Sequence, residues 1–294
     1  MAEAKRQGGL APYGLLTPGL IWLTLFFLVP LVTLARTALS VKESRFDFEP
    51  TFSWEWSNFS DAVSTYSTQM WRSFKYAGIA TILCILIGYP LAYVVAVRGG
   101  RWRNVLIGLV VVPFFTSFLI RTLAWQAVLN DEGPLLSLVA TLGFEGLFDA
   151  IGLTDNGRLL ATDAAVIGGL TYNFLPFMIL PIYVSLEKID LSLLDAAKDL
   201  YASGWSAFRR VVLPLSLPGV FAGTLLTFIP AAGDFVNARF LGGPNQTMIG
   251  TVVQDRFLVQ LDYPAAAALS FVLMAIITVA VIVYARVLGT EDLV

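Results

Sequence analysis

Between two long apolar runs the chain reads SLLDAAKDLYASG (residues 192–204) and then WSAFRRVVLPLSLPG (residues 205–219). Ser192 with Asp195 three residues on approximates a capping box, with the shorter Asp in place of Glu. Leu193, Ala197, Leu200 and Tyr201 recur at helical spacing and form one apolar face. Gly204 is the expected C-terminal stop, and Pro214 and Pro218 are expected to break the chain as it returns to apolar sequence. The expectation is a short amphipathic helix on a membrane surface, with Ala196 and Ala197 small enough to let another body approach closely. A connector helix resting on lipid headgroups has the same periodicity, so the pattern alone leaves both readings open.

Working outward, the flanking runs are long enough to cross a bilayer, which takes about 20 mostly apolar residues. Six such runs are expected: 15–39, 74–97, 105–129, 164–186, 212–233 and 266–288. Pro18 suits the first turn of the first run, and Pro30 is expected to kink it. Basic residues sort to one side of these spans: Lys5 and Arg6, then Arg98, Arg101 and Arg103, then Lys188, Lys198, Arg209 and Arg210, and Arg286 at the end. The loops 40–73, 130–163 and 234–265 hold most of the acidic residues, with Lys42, Arg45, Arg72, Lys75 and Arg158 among them. Positive residues stay on the cytoplasmic side, so both termini are expected there and the 192–219 segment faces the cytoplasm.

Composition agrees. Of 294 residues, 57% are hydrophobic and 14% charged, and the mean hydropathy is +0.74. Soluble domains run near 45–50% apolar and about 25% charged, so the excess must face lipid. The net charge of −2 gives no basic stripe for nucleic acid. There is no histidine and one cysteine, Cys84, which lies in an apolar run and reads as a small buried hydrophobe. A zinc or iron site lacks its ligands, and His-dependent nucleophilic catalysis lacks its base. No G-x-x-x-x-G-K-S/T phosphate loop is present, so the chain is not expected to be an enzyme by itself, and no catalytic or metal-binding residue is assigned.

Charged and polar groups at membrane depth are the remaining candidates for function. Arg121 lies some 16 residues into the third run, ~24 Å along a helix. Asp234 ends the fifth run at similar depth, so an Arg121–Asp234 pair or a charge at an outer gate is expected. Trp125, Tyr172, Asn173, Tyr183 and Phe235 are the further aromatic and polar candidates in or beside these runs. Ordinary helix packing is the leading explanation for each aromatic. Asn173 stands out because a buried amide needs a partner.

The 192–219 segment resembles the Glu-Ala-Ala loop of permease subunits of ATP-binding-cassette (ABC) importers. Asp195, Ala196, Ala197, Ala202, Phe208, Leu213 and Pro214 match that pattern; Asp195 replaces its Glu, and Tyr201 stands at its usual Gly. The resemblance implies an all-α, six-span type I importer permease with a cytoplasmic coupling helix. The ATPase-coupling residues would be those seven together with Leu200, Tyr201 and Gly204. It implies a cytoplasmic segment 1–13, a first span and external loop 14–69, a transmembrane domain 70–288 and a cytoplasmic tail 289–294. The strings PFFTSFLIRTLAW (113–125), LPFMILPIYVSLEKID (175–190) and GDFVNARFLGGPN (233–245) are similar to those of spermidine and putrescine permeases, which implies a polyamine cation as cargo. A cation favours carboxylates and aromatic faces, so Arg121, Trp125, Tyr172, Asn173, Tyr183, Asp234 and Phe235 would be the candidates for its pathway. Permeases for ferric iron, sulfate and aminophosphonates are related to these. The partners implied are a second permease, non-identical but homologous, two ATPase subunits carrying ATP and Mg²⁺, an external substrate-binding protein and the lipid of a bacterial inner membrane. An ion-coupled secondary transporter is the rival from another class; it would need repeats around a midplane site, and none is visible.

Overall fold

The structure is a computed structural model that describes residues 11–42, 50–150, 152–155, 157–190, 192–199 and 201–287. The chain divides into two units, Met1–Thr65 with Arg256–Val272, and Tyr66–Asp255 with Leu273–Val294. The sequence division at 69/70 therefore differs from the structural one, which adds 256–272 to the first unit and breaks at the non-helical Tyr66 (φ −114°, ψ 17°).

In the first unit, α1 (Leu15–Ala38) has its most apolar window wholly unburied, as a helix that meets lipid on every side would. A widened π-helical turn, Thr24–Leu28, immediately precedes Pro30, where the sequence predicts a kink, and accommodates the donor that proline lacks. A short antiparallel pair follows, β1 (Ser40–Val41) with β2 (Thr51–Phe52), Ser40 opposite Phe52. Asn58 Nδ2 closes this corner by donating to the carbonyls of Ala38 (2.9 Å) and Ser40 (3.0 Å).

Helix α2 (Ser57–Tyr93) continues through a π-helical turn, Val94–Arg98. It begins well before the expected residue 74, so much of the expected outer loop is helix. The third expected span, 105–129, is not one helix. It comprises α3 (Arg103–Val111) with a 3₁₀ turn Val112–Phe115, then α4 (Phe118–Leu129), and the pair bends by 93°. Pro113 removes a donor at the break, and Thr116 and Ser117 adopt extended ψ angles of 146° and 138°. The short helices α5 (Pro134–Thr141) and α6 (Glu145–Ala150) follow.

Helix α7 (Asp163–Glu187) is central, with 61% of its apolar window buried. After α8 (Ser192–Asp199), α9 (Gly204–Ala232) starts eight residues before the expected boundary. Pro214 and Pro218 do not break it, because a π-helical turn at Phe208–Val212 widens the backbone just ahead of Pro214. The small residues Ser216, Gly219, Gly223, Thr227 and Ala231 form its buried stripe and let α7 approach closely, as membrane helices require. Two short helices, α10 (Val236–Leu241) and α11 (Ile249–Gln254), precede α12 (Tyr263–Val287). Among the described residues five helices are long and apolar enough to cross a membrane, and the count is six if the bent pair crosses as one span.

Candidate functional site

Helix α8 forms where the sequence places it, but its ends are built differently. Asp190 Oδ1 accepts the N–H of Ser192 at 2.9 Å, so Asp190 rather than Ser192 supplies the capping oxygen. Hydrogen bonds from the Ser192 backbone and hydroxyl hold the Asp190 carboxyl below the usual carboxylate range. At the other end Ala202 N donates to Ala197 O at 3.0 Å, the six-to-one bond of a Schellman stop. The left-handed residue this stop needs is Tyr201 (φ +57°), 98% exposed. Gly204 is not the stop. It opens α9, capped by Ser203 Oγ, which accepts Ser206 N–H. Leu200 and the side chains of Asp195 and Ala196 lie outside the described residues.

A tyrosine in left-handed backbone costs about 1–2 kcal/mol, because Cβ crowds the carbonyl; the family pattern's glycine avoids this. Glycine in turn loses roughly 0.5–1 kcal/mol of chain entropy. Tyr201→Gly is therefore expected to stabilise the loop by about 1 kcal/mol, slowing amide exchange across 192–203 roughly fivefold in the isolated permease. Faster exchange in the variant would show that the tyrosine ring holds the loop.

Past α8 the chain is pinned by rings. Phe208 meets Tyr89 (5.8 Å, 89°) and Tyr93 (5.7 Å, 88°) edge-on, and Trp205 stacks on it (5.5 Å, 21°). Tyr89 and Tyr93 sit one turn apart on α2, and the Tyr89 hydroxyl also bonds Ser216 Oγ at 2.7 Å. One half-buried phenylalanine thus joins α9 to α2. At the same end of α7, Arg103 donates from Nε to the Tyr183 hydroxyl, pairs with Glu187 and lies 5.0 Å over the Tyr183 ring. Tyr183 accordingly belongs to the α8 end of the fold. Leu213 is half-buried and Pro214 exposed.

The membrane-depth candidates do not form the expected ion pair. Arg121 is buried with its guanidinium over Phe114 (5.5 Å) and Phe118 (5.6 Å), and its Nε and Nη1 have no hydrogen-bond partner among the described residues. Asp234 is buried and caps α10, accepting Asn237 N–H at 2.7 Å. Asn173 finds its partners: Nδ2 donates to Asn237 Oδ1 (3.0 Å) and to Thr122 Oγ1 (3.3 Å). The knot ties α4, α7 and α10 together, and α10 seats against a notch at Gly169, where a Cβ would lie 2.8 Å from Asn237 Oδ1 and 2.3 Å from Leu241 Cδ1. Trp125 and Tyr172 pack edge-on at 5.4 Å, and Phe235 is part-exposed. Thr122 and Asn237 were missed by sequence reasoning; the only signal was Asn237 three residues after Asp234, the spacing of a helix cap.

Residues 62–288 match the family model described as binding-protein-dependent transport system inner membrane component. The chain is 38% identical to a spermidine/putrescine transport system permease protein, PotB, of Haemophilus influenzae, covering 90% of each chain. It is 34% identical to the protein of the same name from Escherichia coli K12, covering 90% of this chain and 93% of that one. Among solved structures, a bacterial ABC transporter involved in the import of alginate contains a chain of the same fold, with a TM-score of 0.64, 18% identity and 94% of each chain covered. The bent third span, the α8 loop and the membrane-length helices therefore have one setting: the chain belongs to the family of binding-protein-dependent transport system inner membrane components, as an integral membrane permease subunit of an ABC importer.

Proposed function

We propose that this permease imports polyamines of the spermidine and putrescine class. The observation that carries this reading is the likeness, over 90% of the chain, to permeases named for spermidine/putrescine transport. Both termini face the cytoplasm on this reading, following the basic residues. That places α8 on the cytoplasmic surface, with Leu193, Tyr201 and Trp205 exposed there as apolar contacts for an ATPase subunit. ATP and Mg²⁺ bind that separate ATPase, of which two copies serve a pair of homologous, non-identical permeases. A substrate-binding protein delivers cargo at the opposite face. ATPase closure moves α8, the Phe208 contacts carry the motion into α2 and α9, and the pathway opens outward; hydrolysis resets it.

The test is ATPase activity of the assembly in nanodiscs, co-expressed with its ATPase, second permease and binding protein. Spermidine, putrescine, ferric iron, sulfate and an aminophosphonate are added in turn with the binding protein. Stimulation by a polyamine supports the reading. Stimulation by another of these ligands keeps the importer and discards the polyamine. Uptake that survives ATP depletion but collapses with an uncoupler would put an ion-coupled carrier in its place.

A further inference from the structure

At the end of α7 opposite Glu187, the Asp163 carboxylate uses its two oxygens differently. Oδ1 accepts the Tyr76 hydroxyl from α2 and Gln246 Nε2 at 3.2 Å. Gln246 is itself fixed, its Oε1 accepting Gly243 N–H at 3.2 Å. Neighbouring bonds fasten the same loop: Arg72 Nη1 donates to the Thr247 carbonyl at 3.1 Å, and Ser73 Oγ accepts Ile249 N–H at 2.8 Å. The carboxylate is thus held from one side by Oδ1 alone. Among the described residues Oδ2 is paired with the ammonium of Lys75, at 3.7 Å, beyond ordinary hydrogen-bond reach. Both side chains of this pair are about half exposed, at 50% and 47%, so the pair is solvent-screened and loosely held. The Lys75 Nζ also lies 5.9 Å from the Tyr76 ring centre.

A half-exposed carboxylate oxygen whose twin is fixed by hydrogen bonds is the chemistry that receives an alkylammonium, and Lys75 carries that very group; the Tyr76 ring is itself buried, and its hydroxyl fixes Oδ1. We propose that Asp163 Oδ2 is a docking point for a substrate ammonium, and that Lys75 is the tethered cation the substrate displaces. The inference rests on the polyamine reading and, with the proposed orientation, places the site at the external end of the permease. Oδ1 serves the fold and Oδ2 serves the ligand. Arg72 also acts on Asp163 through its charge, but its Nη1 is bonded to the Thr247 carbonyl, so Lys75 is the exchanging cation. Displacing a resident charge makes binding weak and reversible, as passage through a transporter requires.

The test is equilibrium binding of radiolabelled spermidine to the complete nanodisc assembly without binding protein, alongside uptake with it. Lys75→Met removes the competitor and is expected to tighten binding about threefold or more. Asp163→Asn keeps an Oδ1 acceptor for Tyr76 and Gln246 but removes the charge, and is expected to weaken binding about tenfold. The double variant should follow Asp163→Asn. An unchanged unfolding temperature in Asp163→Asn would confirm that the Oδ1 contacts survive. Wild-type uptake without saturable binding, or with equal binding in all variants, overturns the ammonium site and leaves a purely structural latch. Failure of the wild-type assembly to take up any polyamine overturns the polyamine reading itself.

Discussion

Replacing Phe208 with alanine is expected to cut ATP-driven uptake at least about tenfold while the assembly goes on hydrolysing ATP. The physical reason is that one ring carries three aromatic contacts, to Tyr89, Tyr93 and Trp205. Such pairs contribute ~0.5–1.5 kcal/mol each; those to Tyr89 and Tyr93 cross between the helices while Trp205 lies on α9 itself, so the joint between α9 and α2 loses roughly 1–3 kcal/mol. The loss falls just after the α8 loop, where any motion of α8 must enter the membrane helices. A tenfold change in a coupled equilibrium needs only ~1.4 kcal/mol, so this loss is enough to separate ATPase closure from opening of the pathway. Phe208→Tyr keeps the ring and is expected to keep most of the uptake. The measurement is substrate accumulated per ATP hydrolysed in proteoliposomes. If uptake and hydrolysis fall together in Phe208→Ala, the ring serves folding alone; if neither changes, the motion travels by another route.

The parts of this fold that were legible in the sequence are those set by composition over long windows. Apolar length located the spans because lipid tolerates few alternatives to a helix of about 20 residues. The α8 helix was legible from its periodicity and turned out to occupy Ser192–Asp199. The features that escaped are local backbone choices inside apolar runs. In 105–129 only Pro113 hints at a break, and the hydropathy does not mark a 93° bend, because the break at Thr116 and Ser117 interrupts the hydrogen-bond ladder and not the apolar run. The π-helical turns before Pro30 and Pro214 are hidden for the same reason: a proline predicts a lost donor but not how the helix absorbs it.

The site shows a second limit. Asn173 was identified because a buried amide needs a partner, yet its partners Thr122 and Asn237 sit 51 and 64 residues away, a pairing that only the fold reveals. Arg121 and Asp234 were paired on depth and charge, and that reasoning omitted two competitors close at hand. Asp234 is satisfied by the N–H of Asn237 three residues on, and Arg121 lies over the ring of Phe118 three residues back and over Phe114. Local capping and local cation–π contacts form with little loss of chain entropy, so they precede a long-range pair. Tyr201 is the opposite case. The departure from the family's glycine was visible at once, and the structure shows what that glycine position asks for, a left-handed helix stop.

Gly219→Val is expected to be the most damaging substitution in the α7–α9 pair, lowering the yield of folded permease about tenfold or more. A Cβ at Gly219 would stand 2.5 Å from the Pro181 carbonyl oxygen and 2.6 Å from Ser185 Oγ. A serine side chain can turn away, but a backbone oxygen in the middle of α7 cannot. One turn further along α9, a Cβ at Gly223 would meet Met178 Sδ at 2.7 Å and Met178 Cα at 3.2 Å, so the two helices cannot pivot about that point to make room. The axes must separate, and the whole small-residue stripe of α9 loses contact at once. Overpacking of this kind costs ~1–3 kcal/mol for modest insertions, and a branched side chain against fixed backbone belongs at the upper end. Close approach is also what drives these helices together, since lipid supplies no hydrophobic force between them. Gly219→Ala should show the same defect in milder form, because the clash begins at Cβ. Gly108→Ala, on α3 where nothing lies within 4 Å of the new methyl group, should leave the unfolding temperature unchanged or raise it slightly. Thermal unfolding of the three variants in one detergent would decide the matter. Equal stability of Gly219→Ala and Gly108→Ala would mean that α7 and α9 do not pack at the distance seen here.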